Sequence, residues 1–143
     1  LPPLDDAKGK GSMTNPLHRK KAANARKVLV DDDNRDAAQL LTMALSHHGH
    51  NVQVAHDGLE GLKLTESFQP QVVLLDIGLP GLNGYEVAKR IRKEPWGSQI
   101  FLVALTGWGQ AEDQARSEEA GFDKHLVKPV QLSVIFDLLR ELN

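Results

Sequence analysis

The chain lacks cysteine, a long hydrophobic run and a charge excess. Without cysteine it forms no disulfide and performs no thiol chemistry, which favours a reducing compartment. No apolar stretch approaches the roughly 20 residues that span a bilayer, and the N-terminus lacks the apolar core of a signal peptide. The net charge of -2 argues against electrostatic binding of nucleic acid. These absences predict a cytoplasmic domain that contacts neither membrane nor nucleic acid.

Composition changes near residue 26. Residues 1 to 26 combine Pro, Gly and charge without hydrophobic periodicity, which is typical of a flexible linker or a tag-derived arm. Residues 27 to 143 are predicted to form one globular domain, because 41% of the 143 residues are hydrophobic, enough for a real core.

Strand and helix patterns alternate after Lys27. Short apolar runs predict strands buried on both faces, whereas helical spacing of apolar residues predicts amphipathic helices between them. Asn34 is a predicted helix N-cap, and Gly49 a predicted C-cap. The pattern predicts a doubly wound α/β domain, a five-stranded parallel sheet with five helices on its two faces. The predicted strands are Val28 to Val30, Val52 to Ala55, Val72 to Leu75, Ile100 to Leu105 and Lys124 to Val127.

Polar residues stand at the ends of four of these strands. Asp31, Asp32 and Asp33 follow the first strand, and Asp76 follows the third. In open α/β sheets ligands bind beyond the carboxyl ends of the strands, so these acids are expected to meet and to hold Mg²⁺ or Ca²⁺. The fourth strand is followed by Thr106 and the fifth by Lys128. A hydrogen-bond donor and a cation beside acids predict a site for a metal ion and a phosphoryl group.

At these residues the chain resembles the receiver domain of two-component response regulators. The matching segments are 28–34, 73–84, 104–107 and 127–129, and together they extend the resemblance over about residues 27 to 142. The resemblance implies a flavodoxin-like sheet of order 2-1-3-4-5. It also implies that Asp76 accepts a phosphoryl group from a histidine kinase or a histidine phosphotransfer protein. The protein is then either a stand-alone regulator or the C-terminal receiver of a hybrid histidine kinase, with a downstream protein as its partner.

The resemblance also implies a role for each matching residue. Asp76 is the phosphoacceptor, and Thr106 and Lys128 contact phosphoryl oxygens. The acid pair binds Mg²⁺ together with Asp76 and the backbone carbonyl of Gly78. Thr106 moves on phosphorylation, and His125 occupies the position of an aromatic switch residue. The Lys128–Pro129 bond matches the family's cis-peptide site.

Two registers are open for the acid pair. Alignment through Asn34 makes Asp32 and Asp33 the pair and places Asp31 where relatives have the last aliphatic residue of the strand. An unpaired charge in the sheet would cost several kcal/mol. The rival register pairs Asp31 with Asp32. We prefer Asp32 and Asp33.

Two residues close to the expected phosphoacceptor predict how long the phosphoryl group persists. Gly78 and Trp108 stand two residues after Asp76 and Thr106, and neither orients a hydrolytic water strongly. The phosphoryl group is therefore expected to decay slowly. Trp108 is equally well explained as a half-exposed packing residue.

The histidines and the acids also allow other readings. His47, His48 and His50 cluster near His56, and we interpret them as surface residues at a helix C-terminus rather than as a metal site. A Mg²⁺-dependent phosphatase or phosphotransferase would also use an aspartyl phosphate, but typically has a second acid where Gly78 stands. A docking module that accepts no phosphate is the third possibility. The preferred reading is a signalling module and no enzyme, beyond self-catalysed phosphotransfer and autodephosphorylation.

Overall fold

The computed structural model describes residues 25–107 and 111–142. The predicted N-terminal arm lies outside these ranges, apart from its last two residues. Strands and helices alternate, with a single turn of 3₁₀ helix at Pro95–Gly97. The strands are β1 (Lys27–Asp31), β2 (Asn51–Ala55), β3 (Val72–Asp76), β4 (Phe101–Thr106) and β5 (Lys124–Val127). The helices are α1 (Arg35–His47), α2 (Gly58–Phe68), α3 (Gly84–Lys93), α4 (Ala111–Ala120) and α5 (Leu132–Glu141).

The five strands form one parallel sheet in the order β2-β1-β3-β4-β5. The predicted doubly wound sheet and its strand order are therefore confirmed. β1 and β3 lie side by side in the middle, with Asp31 opposite Leu75. In the neighbouring strand pair, β3 and β4, Asp76 lies opposite Leu105. This register brings the ends of β1, β3 and β4 to nearly the same level.

The two faces of the sheet carry separate cores. Successive strand residues point to opposite faces, so Leu29 joins one core while Val28 and Val30 join the other. The first core packs against α2 and α3, and the second packs against α1 and α5. Asp31, two residues after Leu29, points to the α2 face, where an aliphatic side chain would be expected.

Helix α2 buries a different stripe from the one that its leucines suggest. Leu59 is 57% exposed, and Leu62 and Leu64 are only partly buried. The buried side of the helix is formed by small or slender residues and one aromatic, namely Gly58, Gly61, Thr65 and Phe68. The small residues let the helix axis approach the end of β1 closely.

Helix ends follow the predicted capping chemistry, apart from the C-cap of α1. The Asn34 side chain accepts a hydrogen bond from Ala37 N–H at 3.1 Å, as expected of an N-cap. The C-cap of α1 is His48 and not the predicted Gly49, which follows it with a φ of 93°, a left-handed conformation that glycine adopts without strain. Asp57 caps α2 through Glu60 N–H. These caps fix where the helices start relative to the strand ends.

Arg26 connects the start of the sheet to the end of the last helix. Its Nε donates to the carbonyl of Leu139 at 3.1 Å, and its Nη2 donates to the carbonyl of Leu142. Carbonyls at a helix C-terminus have no partner within the helix, so a guanidinium satisfies them well. In the part of the chain that the structure describes, no helix is long and apolar enough to cross a membrane.

Candidate phosphoacceptor site

Asp76 is held at the end of β3 by a contact to each carboxylate oxygen. Its Oδ1 accepts a hydrogen bond from Gly78 N–H at 3.0 Å, and its Oδ2 lies 3.2 Å from Lys128 Nζ. Gly84, the first residue of α3, packs against the same strand end. A Cβ there would lie 2.6 Å from the Asp76 carbonyl oxygen, so only glycine allows this approach. The Asp76 carboxylate is therefore buried and held in one orientation.

Asp32 and Asp33 meet Asp76 across the β1–β3 boundary. One carboxylate oxygen from each of the three residues lies within 4.8 Å of the other two. Asp32 is buried and Asp33 is exposed, so the group opens to solvent on one side. Asp32 Oδ1 accepts a hydrogen bond from Asn34 N–H at 3.0 Å, and Asp32 Oδ2 lies 3.3 Å from Lys128 Nζ. We call Asp32, Asp33, Asp76 and Lys128 the strand-end cluster.

The donor set of the strand-end cluster suits a hard divalent cation. Three carboxylates that converge without a central cation repel one another, by roughly 4 kcal/mol for two charges 4 Å apart at an effective dielectric near 20. Carboxylate oxygens are the ligands that Mg²⁺ prefers, and Mg²⁺ commonly uses only one or two of them beside water. The residues present therefore fit a Mg²⁺ ion.

The electrostatics of the cluster are strongly coupled. Burial raises the pKa of Asp32, and the Asp76 carboxylate raises it further, while Asn34 N–H and Lys128 act in the opposite direction. Burial alone would lower the pKa of Lys128, but the carboxylates of Asp76 and Asp32 outweigh it and raise the pKa. Lys128 thus stays a cation, and it partly neutralises the acids beside it.

Asp31 lies outside the cluster. It is fully buried, and among the described residues neither carboxylate oxygen has a hydrogen-bond partner. Burial, followed by the charges of Asp57, Glu60, Asp32 and Asp76, raises its pKa to about 8. A Cβ on Gly61 would lie 1.8 Å from Asp31 Oδ2, so the carboxyl occupies space that any other residue would fill. The triple Asp thus divides into two residues that face Asp76 and one that faces α2.

Thr106 and Lys128 occupy the neighbouring strand ends. Thr106 is buried at the end of β4, and its carbonyl accepts a hydrogen bond from Lys128 N–H at 2.7 Å. The Lys128–Pro129 peptide is cis. Gly78 is exposed, two residues after the end of β3. Trp108, the second residue of the lifetime prediction, lies outside the described residues, and that prediction stays untested.

His125 is half-buried in β5, three residues before Lys128. Its ring Nδ1 lies 3.0 Å from the hydroxyl of Ser117 in α4. The same hydroxyl donates to the carbonyl of Asp113 at 3.1 Å. The ring therefore links β5 to α4.

His48 and His50, two of the clustered histidines, have separate partners. His48 stacks on Phe136 with ring centroids 4.0 Å apart, and His50 Nδ1 accepts a hydrogen bond from Arg26 N–H. Burial, His48 and Arg26 lower the pKa of His50. Within residues 25–107 and 111–142, the group of side chains placed to share a metal ion is Asp32, Asp33 and Asp76, with no histidine in it.

The sequence assigned no role in the site to two residues of its surroundings. Gly61 accommodates Asp31, and His56 lies with its Nδ1 3.0 Å from the backbone oxygen of Asp32. Nothing in the local pattern around Gly61 indicates a contact with β1. His56 has one signal, because it directly follows β2 just as the other site residues follow their strands.

Comparison with known proteins identifies the family. The model of the response regulator receiver domain matches residues 28–140, so the chain belongs to this family, whose members are signalling modules. Response regulator MprA of Mycobacterium ulcerans is 33% identical over 116 residues, which cover 81% of this chain and 49% of that protein. The DNA-binding dual master transcriptional regulator RpaA of a Synechocystis strain is 31% identical over 81% of the chain and 48% of its own length. The chain spans about half the length of these curated relatives.

Solved structures show the same fold. Vibrio cholerae chemotaxis protein CheY4 superposes with a TM-score of 0.77 at 26% identity, covering 82% of this chain and 98% of its own. The receiver domain of sensor histidine kinase PA1611 from Pseudomonas aeruginosa has a TM-score of 0.75 at 25% identity, covering 81% of this chain and 95% of its own. That structure has a magnesium ion coordinated in its active site cleft.

Proposed function

We propose that this receiver domain is the phosphoacceptor of a phosphorelay, with Asp76 as the residue that is phosphorylated. The observation that carries the proposal is the position of Asp76. Its carboxylate is buried, oriented by Gly78 N–H and Lys128, and placed within 4.8 Å of two further acids. A structural acid needs no such neighbours, whereas a nucleophile that receives a charged group does.

The transfer forms one bond and breaks another. An oxygen of the Asp76 carboxylate attacks phosphorus, while the bond from phosphorus to the donor's imidazole nitrogen breaks. That nitrogen keeps the electron pair and takes up a proton. Lys128, 3.2 Å from Asp76 Oδ2, is placed to pair with a phosphoryl oxygen in the product, and the Thr106 hydroxyl supplies a further donor.

Mg²⁺ is the proposed cofactor. Asp32, Asp33 and Asp76 would hold it, together with the backbone carbonyl of Gly78. When bound, the ion neutralises negative charge that gathers on the phosphoryl oxygens. The support from this chain is the convergence of three carboxylates, whose mutual repulsion Lys128 offsets only in part.

The proposed output is a change in the surface from β4 to α5. Thr106 ends β4, and its carbonyl is bound by Lys128 N–H, so a pull on either residue acts on both strand ends. His125 couples β5 to α4 through Ser117. Phosphorylation that draws Thr106 inward would bias this surface towards a second arrangement, which a downstream protein reads. We propose no enzymatic role beyond self-catalysed phosphotransfer and autodephosphorylation. We also propose that the domain is cytoplasmic.

The proposed donor is a histidine kinase or a histidine phosphotransfer protein. A groove of about 590 Å³ between α1 and α5 opens at the site, with Asp32 and Lys128 at one end. Its walls are mainly apolar, and Leu40 on its rim is 69% exposed. Exposed apolar surface next to a reactive residue suits a protein donor, which must pack there to bring its histidine to Asp76.

Intact mass after incubation with acetyl phosphate and Mg²⁺ tests the acceptor. We expect one phosphoryl adduct in the wild-type chain, none in Asp76→Asn, and an unchanged adduct in Asp36→Asn, an exposed acid of α1. An adduct that persists in Asp76→Asn would overturn the assignment. An unmodified wild-type chain would favour a docking module, and steady release of phosphate from a phosphomonoester would favour a phosphatase.

A second donor tests the docking surface. Leu40→Glu is expected to slow phosphorylation by a purified phosphohistidine protein while labelling by acetyl phosphate stays unchanged, because only the protein donor needs the groove. If Leu40→Glu and the wild type are phosphorylated equally fast by the phosphohistidine protein as well as by acetyl phosphate, the protein donor docks elsewhere.

A further inference from the structure

His56 makes a hydrogen bond with the backbone between Asp32 and Asp33. Its Nδ1 lies 3.0 Å from the carbonyl oxygen of Asp32. A carbonyl oxygen only accepts, so Nδ1 carries the hydrogen and donates it.

The same residue, Asp32, is held from β2 a second time. Its N–H donates to the carbonyl of Ala55 at 3.1 Å, one step beyond the last paired residues of β1 and β2. Ala55 is the last residue of β2, and His56 follows it. The end of β2 thus grips Asp32 at both its N–H and its carbonyl.

The backbone of His56 is itself anchored. Its backbone N–H donates to Glu60 Oε1 at 2.8 Å, and the backbone N–H of Glu60 donates to the Asp57 side chain at 2.8 Å. These bonds join His56 to the first turn of α2. The half-buried ring thus extends from an anchored backbone, and it can orient the Asp32 peptide instead of following it.

We propose that His56 is a positioning residue for the acid pair. The Asp32 carbonyl belongs to the planar peptide that links Asp32 to Asp33, so fixing this oxygen fixes the rotation of the plane and the origin of both side chains. Without the bond, the exposed Asp33 is freer to turn away from Asp32 and Asp76, as mutual repulsion of the carboxylates favours. The inference rests on the proposed function only in that this pair binds a divalent cation.

Binding of Mn²⁺ alone, followed by the electron paramagnetic resonance of the free ion, tests the proposal without any phosphorylation. His56→Leu removes the donor and keeps bulk, His56→Ala removes it without a risk of overpacking, and His56→Asn restores an N–H near the position of Nδ1. His47→Leu, an exposed histidine at the end of α1, is the matched control. Urea unfolding of the metal-free variants reports stability separately.

We expect His56→Leu and His56→Ala to weaken Mn²⁺ binding about tenfold, the low end of the loss seen when a partner of a metal ligand is removed. His56→Asn should bind within about twofold of the wild type even where its metal-free stability is lower. A general packing role would lower stability in all three variants and leave their affinities alike. Affinities of the Leu and Ala variants close to the wild type, or an Asn variant as weak as they are, would overturn the inference.

The outcomes separate this inference from the proposed function. A wild-type chain that does not bind Mn²⁺ overturns the cation assignment and the role of His56 together. Normal binding that is insensitive to His56 overturns only the positioning role. Absence of an adduct on Asp76 bears on the proposed function alone.

Discussion

Asp31 and Asp32 are adjacent, both are buried, and their surroundings are opposite. Asp32 faces Lys128 and accepts a hydrogen bond from Asn34 N–H. Asp31 faces α2 at Gly61, and within the described residues its oxygens have no hydrogen-bond partner. Burial raises the pKa of both, but that of Asp31 reaches about 8. Burial alone therefore does not decide what a carboxyl does here; the partners that face it do.

The difference shows how one strand end serves two purposes. Asp31 is the last residue of β1 and follows the alternation of the strand to the α2 face, whereas Asp32 and Asp33 lie beyond the strand and face Asp76. Asp32 supplies charge where a cation and a phosphoryl group are expected. Asp31 supplies a neutral carboxyl at neutral pH, in a space kept open by Gly61. The comparison makes three predictions, from the largest expected effect to the smallest.

Replacing Asp31 with Val should stabilise the fold, by about 4 kcal/mol at pH 8. Valine is close in volume, needs no hydrogen bond and stays uncharged. Between about pH 4 and pH 8 the unfolded chain carries an ionised Asp31 and the folded chain a neutral one, as the raised pKa requires. The folded state then binds more protons, so the wild type loses stability as pH rises through this window.

Urea unfolding of both proteins at pH 5 and pH 8 measures this effect. The advantage of Asp31→Val should grow by about 3 kcal/mol between the two pH values. An advantage that is the same at both would show that Asp31 is ionised in the fold and has a partner.

Introducing a Cβ opposite Asp31 should destabilise the fold by about 3 kcal/mol, the upper part of the range for overpacking. The change is Gly61→Ala, and its Cβ would lie 1.8 Å from Asp31 Oδ2. Combined with Asp31→Ala, the same change should cost much less, because the clash disappears with the carboxyl. A double-mutant cycle from urea unfolding checks the coupling, and purely additive losses would contradict the contact.

Removing the positive charge of Lys128 should leave the Asp32 carboxylate, like that of Asp31, without a cationic side chain beside it among the residues that the structure describes. In Lys128→Met the metal-free protein should lose about 1 kcal/mol, a small value because Lys128 is one-third exposed. Mn²⁺ should bind several-fold more tightly, since the competing charge is gone. Lys124→Met, at an exposed position of β5, is the control. Unchanged or weaker Mn²⁺ binding would show that Lys128 does not compensate the acids.

The sequence predicted the sheet well because its strands are short aliphatic runs buried on both faces. In the structure, β1 and β3 each end one residue later than predicted, because the hydrogen-bond ladder continues to Asp31 and Asp76. The buried stripe of α2 was harder to predict. Its leucines suggest one face, but Gly61 and Thr65 pack inward because the helix lies close to β1.

The residues of the site were recognisable because they stand at strand ends in a known order. The contacts of these residues were harder to predict from the sequence. The grip of His56 on the Asp32 carbonyl joins positions 24 residues apart, and the space that Gly61 leaves for Asp31 depends on how α2 lies on the sheet. Neither produces a local pattern. The roles of Asp76, Thr106, Lys128, the acid pair and His125 remain predictions that the experiments above address.

The bonds from Arg26 to the last turn of α5 have a practical consequence for protein engineering. They hold the residue before β1 beside Leu142, so the two ends of the fold lie next to each other. A fold with adjacent ends tolerates circular permutation and insertion into a host protein. A short linker from residue 142 to residue 25 would close the chain, and new ends could be opened in an exposed turn such as the one at Gly81. The domain could thus serve as a cassette inside a reporter protein.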